Sequence, residues 1–125
     1  MPETVAILGA SRNPARYSYK AQLALEDNGH TPLPINPRYD QIEGIPCFPD
    51  VKSINRNIDT ITIYVRPDIL KPMINDIIDA KPGRVIFNPG SESAEASTRF
   101  ESAGITVQNA CTLVLLNTSS FSHID

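Results

Sequence analysis

The chain has 125 residues and a mass of 13.7 kDa, of which 41% are hydrophobic and 20% charged, with a formal net charge of −3. That composition belongs to one globular domain with a single core; it excludes a disordered chain and a surface built as a whole for nucleic acid. No apolar run approaches the ~18 residues of a membrane span, and Met1-Pro2-Glu3-Thr4 lacks a signal-type start, so a cytoplasmic protein with neither membrane nor nucleic-acid partner is expected.

Val5-Ala6-Ile7-Leu8 is a short apolar run ending at Gly9, the pattern of a strand buried on both faces. A helix is predicted from Ser18, its expected cap, to about Asn28, with Gly29 just beyond its end. Leu33-Pro34-Ile35 reads as a second strand, and its prolines favour an edge position or a strand start. Asn36 to Pro49 is loop with room for a short strand near Cys47, and Val51 to Asn55 suits one helical turn. Asp59 to Val65 is the strongest strand signal, rich in β-branched residues.

A helix is expected from Pro67 to Asp79, with Pro72 tolerated if it stays in the first turn. Its stripe Ile69, Leu70, Met73, Ile74, Ile77 and Ile78 has the spacing of a core face, while Asp68 and Asp76 read as solvated charge. Arg84 to Phe87 is a fourth strand and Ser93 to Ala103 a helix closed by Gly104. Ile105 to Gln108 is a fifth strand, Cys111 to Leu116 fits a strand or a short helix, and the polar stretch Asn117 to Asp125 is expected to fray.

Strands alternating with helices predict an α/β fold: one Rossmann-like, doubly wound domain over residues 1–125, with a mainly parallel five-stranded sheet and helices on both faces. In such sheets ligands bind beyond the carboxyl ends of the strands, where the strand order reverses. That rule selects Gly9 to Lys20, Asn36 to Asp40, Arg66-Pro67 and Asn88 to Glu92. These segments hold Arg12, Arg16, Lys20, Arg38 and Arg66, five of the eleven basic residues, against only Asp40 and Glu92. An acidic protein that gathers cations at one edge suits a phosphorylated nucleotide, although long basic side chains also simply solvate a loop rim.

The first loop, Gly9-Ala10-Ser11-Arg12-Asn13-Pro14, joins a strand to a helix in the general layout of a phosphate cradle. The dinucleotide fingerprint GxGxxG is missing: Ser11 stands at the second glycine position and Pro14 at the third. No carboxylate follows the second strand, where Asn36 and Arg38 stand, so a ribose diol of ordinary NAD is disfavoured. Arg38 suits a ribose carrying an extra phosphate, as in NADP or coenzyme A. The P-loop pattern is missing too.

Taken together, Gly9 to Pro14 with Tyr17-Ser18-Tyr19-Lys20, Pro34 to Asp40, Ile42 to Pro49, Val65-Arg66-Pro67, and Gly104 to Gln108 before Cys111 resemble the small single-domain coenzyme A-binding proteins. That family is itself similar to the nucleotide-binding domain of the succinyl-CoA synthetase alpha subunit. The resemblance implies coenzyme A or an acyl-CoA as ligand. It implies Gly9, Ala10, Ser11, Arg12, Pro14, Ser18 and Tyr19 on the phosphate and adenine side, and Lys20 neutralising phosphate. Asn36, Pro37 and Arg38 would border the 3′-phosphate, Arg66 and Pro67 the adenylate or pantetheine, and Asn88 the outer end of the pocket. Phe87 to Glu92 departs from the family pattern, which leaves the thiol end of the ligand unassigned. Neither His30 nor His123 has a matched context, so no phosphohistidine is carried over.

No Ser/His/acid, HExxH or metal-ligand constellation is present in the sequence. The expectation is therefore a non-catalytic sensor, carrier or regulatory module, with an NADP-dependent oxidoreductase or an interaction domain without ligand as rivals. A homodimer is possible on general grounds. Cys111 is either a packed small residue or a partner for the ligand thiol, and Tyr17, Tyr19 and Tyr39 either stack on adenine or close the core.

Overall fold

The computed structural model describes residues 2–122. Five strands form one sheet: β1 (Thr4–Leu8), β2 (Thr31–Ile35), β5 (Thr60–Ile63), β6 (Arg84–Phe87) and β7 (Thr106–Asn109). Their order is β2-β1-β5-β6-β7, and every pairing is parallel. The chain runs outward from β1 to β2, then returns to β5 on the other side of β1. The order thus reverses between β1 and β5, and the expected doubly wound α/β fold is present. β2 carries Pro32 and Pro34 and lies at an edge, where missing N–H donors cost no ladder bonds.

Alternation along β1 sorts the two cores. Ala6 and Leu8 face Leu33, Ile61, Val85 and Phe87, covered by α2 (Pro67–Leu70), α3 (Ile74–Ala80) and α4 (Ala94–Ser102). Val5 and Ile7 face the other layer with Leu25, Ile86 and Leu116, covered by α1 (Tyr17–Asp27) and α5 (Thr112–Asn117). Between β2 and β5 lie a small hairpin, β3 (Gln41–Ile42) with β4 (Ile45–Pro46), and a 3-10 turn at Val51–Ser53. Glu43 and Gly44 both have positive φ, the geometry of a two-residue hairpin turn.

Three local expectations are corrected, and one alternative that the sequence leaves open is decided. Ser18 does not cap α1: Arg16 is the N-cap residue, without a side-chain bond, and Ser18 is buried in the first turn. The loop ahead is closed instead by Asn13, whose Oδ1 and carbonyl accept from the N–H groups of Ala15 and Arg16. The helix predicted over 67–79 is interrupted. Pro72 is too far in for the first turn, offers no N–H, and forces the 3-10 turn Lys71–Met73 between α2 and α3. The run from Cys111 is helix, as α5.

The last correction concerns the polar end of the chain. Thr118 to Ser122 does not fray as a whole. Phe121 is 2% exposed, its ring tilted on His30 at 4.9 Å and covered by the Arg84 guanidinium at 4.5 Å. Arg84 is itself buried at the amino end of the sheet, paired with Glu3 and bonded to Thr60 and Gln108. The predicted tail beyond, including His123, lies outside the described residues.

Candidate functional site

At the reversal of strand order, β1, β2 and β5 end side by side and their following loops splay apart. The gap between them is a cavity of about 380 Å³. That volume falls within the range of about 300–1,000 Å³ typical of small-molecule sites. Leu8 and Gly9 from β1, Ile35 to Arg38 from β2, Pro49 to Val51, and Val65 line it, with Ile69, Met73 and Asp76 from the α2–α3 segment. Most of this wall is apolar. Arg38, Asp50 and Asp76 are its charged members.

Gly9 has a structural reason to be glycine. Its φ is +89°, and a Cβ there would stand 2.9 Å from Val65 Cγ1 and 3.3 Å from the Tyr64 carbonyl carbon. The first loop can therefore press against the end of β5 only without a side chain. The loop is also pinned to β2: Gly9 and Ala10 N–H both donate to the Ile35 carbonyl, and Asn36 Nδ2 donates to the Ala10 carbonyl at 2.8 Å. Asn36 Oδ1 accepts from Arg38 N–H, so one amide side chain ties the first loop to the turn that carries Arg38.

The cations divide into two groups. Arg12 is committed: its Nη2 meets Asp40 Oδ1 at 3.1 Å, its Nε donates to the Gln41 carbonyl, and its guanidinium lies over Tyr39 at 4.8 Å. It straps the first loop to the hairpin. Arg66 pairs with Asp68 in the open. Among the described residues, Arg16 and Arg38 have no acidic partner, and Lys20 rests on the Tyr17 ring at 5.5 Å. The Ser11 and Arg12 amide N–H groups likewise lack protein acceptors, and α1 begins without a side-chain cap. Unfilled N–H groups, a helix start and free cations at one edge make a place for an anion.

The sequence-predicted residues thus fall into three positions. Gly9, Asn36, Pro37 and Arg38 line the cavity. Ser11, Arg12, Pro14, Lys20, Arg66 and Pro67 stand on loops or helix starts of the same carboxyl edge. Ala10, Ser18, Tyr19 and Asn88 support from beneath or behind. Ala10 and Ser18 are buried, and the Tyr19 hydroxyl donates to Glu43 at 2.7 Å, docking α1 on the hairpin. Asn88 presents nothing to a ligand: its Nδ2 donates to Thr62 Oγ1 and the Ile63 carbonyl, and its Oδ1 accepts from Thr112 N–H. The other nine wall residues, Leu8, Ile35, Pro49, Asp50, Val51, Val65, Ile69, Met73 and Asp76, are not among the sequence-predicted site residues. Ile69, expected in the core, is 41% exposed, whereas Leu70, Ile74 and Ile77 are buried as the stripe predicts.

The two cysteines stay apart as free thiols. Cys47 is half-buried, donates to the Asn36 carbonyl at 3.5 Å, and burial raises its pKa. Cys111 precedes α5, and neither cysteine is on the cavity wall. Beside Cys111, the Tyr64 phenol is pushed up to about 12, chiefly by burial.

A family model described as a CoA binding domain matches residues 3–117. The chain belongs to the CoA-binding domain family. It is 36% identical over 91 residues to an ADP-forming acetate–CoA ligase of Methanocaldococcus jannaschii, an alignment covering 71% of this chain but only 13% of that enzyme. It is 25% identical over 103 residues to the uncharacterized protein YneT of Bacillus subtilis, covering 82% of this chain and 76% of YneT. A crystal structure of an uncharacterized protein superposes with a TM-score of 0.92 at 32% identity, covering 97% of this chain and 99% of the other. The chain thus aligns with most of the length of some small proteins and spans only a small part of the much longer ligases it matches.

The edge described above fits a CoA-type ligand in its donor set. A nucleotide with a diphosphate and a ribose phosphate needs N–H donors, separate cations and an apolar slot, and each is present. Arg12 fits least directly, since its guanidinium already has an acid partner.

Proposed function

We propose that the chain binds coenzyme A, free or acylated, at the β1–β5 crevice and acts as a non-catalytic module: a sensor, carrier or regulator. The observation that carries this reading is the set of unpartnered N–H groups and cations on the first loop and α1, at the same sheet edge as a mostly apolar cavity that Arg38 lines, in a CoA-binding domain. In it the Ser11 and Arg12 amides and the start of α1 hold the diphosphate, with Lys20 and Arg16 supplying charge. Arg38, held by Asn36 and free of acid, meets the ribose 3′-phosphate. The apolar wall takes the adenine ring. Arg12 serves as the strap that keeps the hairpin against the first loop.

The test compares coenzyme A, its 3′-dephospho form and NADPH by calorimetry on the wild type and on Arg38→Ala. Expected is saturable binding of coenzyme A by the wild type, with roughly 10- to 150-fold weaker binding of the dephospho form, since a charge-assisted contact is worth on the order of 1.5–3 kcal/mol. Arg38→Ala should lose that preference. Equal losses for both ligands would refute the placement of the 3′-phosphate. Tight NADPH binding with no response to coenzyme A would replace the reading with a redox one.

A further inference from the structure

One carboxylate on the cavity wall has no place in the architecture. Asp50 caps the 3-10 turn, its Oδ1 accepting from the N–H and hydroxyl of Ser53. Asp76, half-buried on α3, has no hydrogen-bond or ion-pair partner among the described residues. It faces the same cavity as Ile69, which is exposed over the crevice, and Met73, which is half-buried and also packs against the core. A carboxylate accepts hydrogen bonds and donates none, and beside apolar walls it repels phosphate. Of the parts of a phosphorylated nucleotide, the one that meets Asp76 is therefore not a phosphate but a group apolar on its faces and a donor at its edge.

Building on the coenzyme A reading above, we infer that Asp76 selects the base: its carboxylate accepts from the exocyclic amine of adenine stacked between the Leu8–Ile35–Val51 side and the Ile69–Met73 side of the cavity. The same charge keeps the phosphates at the Arg38 and first-loop side, so it also sets which end of the nucleotide enters. A 6-oxo purine, such as hypoxanthine, would place a carbonyl oxygen against the carboxylate and be rejected.

The experiment uses three probes, adenosine 3′,5′-bisphosphate, inosine 3′,5′-bisphosphate and 2′-deoxyadenosine 3′,5′-bisphosphate. Each is titrated into the wild type and into Asp76→Asn, with coenzyme A as reference and the melting temperature as a check on folding. The wild type is expected to prefer the adenosine over the inosine compound by at least about tenfold, the scale of one hydrogen bond to a charged group. Asp76→Asn, whose amide can donate to a 6-oxo group, should close that gap to within about threefold while binding the inosine compound no worse. Equal weakening of the adenosine and inosine compounds by Asp76→Asn would overturn the inference, as would a wild type indifferent to the base. If instead Asp76→Asn closes the gap between the ribo and 2′-deoxy compounds, Asp76 reads the ribose and the base assignment is wrong. In each of these outcomes coenzyme A still binds the wild type. Loss of coenzyme A binding itself is the separate failure that removes the parent reading.

Discussion

Replacing Gly9 by alanine tests whether the first loop is held by close packing as well as by hydrogen bonds. Two costs add at this position. The backbone sits at φ +89°, which costs an L-residue about 1–2 kcal/mol. The new Cβ would also stand 2.9 Å from Val65 Cγ1 and 3.3 Å from the Tyr64 carbonyl carbon, and overpacking of that kind costs about 1–3 kcal/mol. The sum is about 2–5 kcal/mol. With an unfolding entropy of about 2.1 cal/mol/K per residue, 1 kcal/mol corresponds to roughly 4 °C in a chain of this length, so the melting temperature should fall by roughly 8–20 °C. Gly44→Ala is the control, because it has φ +79° but no atom within 4 Å of its Cβ and therefore carries only the backbone cost. In the Gly9→Ala, Val65→Ala double variant the Val65 part of the clash is relieved, so the two substitutions should cost less together than their sum. Denaturant unfolding measures these three variants beside the wild type and Val65→Ala alone. Equal destabilisation by Gly9→Ala and Gly44→Ala, or strict additivity with Val65→Ala, would refute the packing argument.

Asn88→Ala removes three buried hydrogen bonds that join β5, β6 and α5 and orphans the Thr112 N–H. At about 1 kcal/mol per bond, the loss should be on the order of 3 kcal/mol in chemical denaturation. A loss under about 1 kcal/mol would mean that Asn88 is not the brace described. His30 gives a pH signature. Burial lowers its pKa below the usual 6.5, with Arg84 adding to the effect and Glu3 opposing it, while its Nδ1 accepts the Glu3 N–H at 3.0 Å. The folded state therefore binds this proton less readily than the unfolded chain, and stability falls as pH drops below about 6.5. Thermal melts at pH 7.5 and 5.5 should show a drop that His30→Asn reduces; an identical drop in both proteins contradicts the assignment.

Much of the fold was legible because each strand carries its own signal. Val5–Leu8, Asp59–Val65 and Arg84–Phe87 are β-branched or apolar runs, each closed by a glycine or proline within two residues of its end, and parallel pairing follows from the helices between them. The carboxyl-edge loops were legible for the same reason, since topology alone selects them. Periodicity is weaker on what a helical face meets. Ile69 shares a stripe with Leu70 and Ile77, yet the break at Pro72 and the start of α2 beyond the sheet leave it over the crevice, while Met73 reaches both the cavity and the core. Asp76 was read as solvated charge because spacing cannot show a cavity. Arg12 and Asp40 are 28 positions apart, and no local pattern announces their pairing. Phe121 is a lone aromatic in a polar stretch; only the distant Arg84 and His30 explain its burial.

The measurement that bears most directly on the account is an amide chemical-shift titration of the isotope-labelled chain with coenzyme A. Predicted are saturating shifts at Gly9 to Asn13, Ala15, Arg16, Asn36, Arg38, Val51, Val65 and Asp76. The opposite end of the sheet, at Glu3, His30 and Phe121, should remain unmoved. Shifts gathered at that opposite end, or none at millimolar coenzyme A, would contradict a nucleotide site at the β1–β5 crevice.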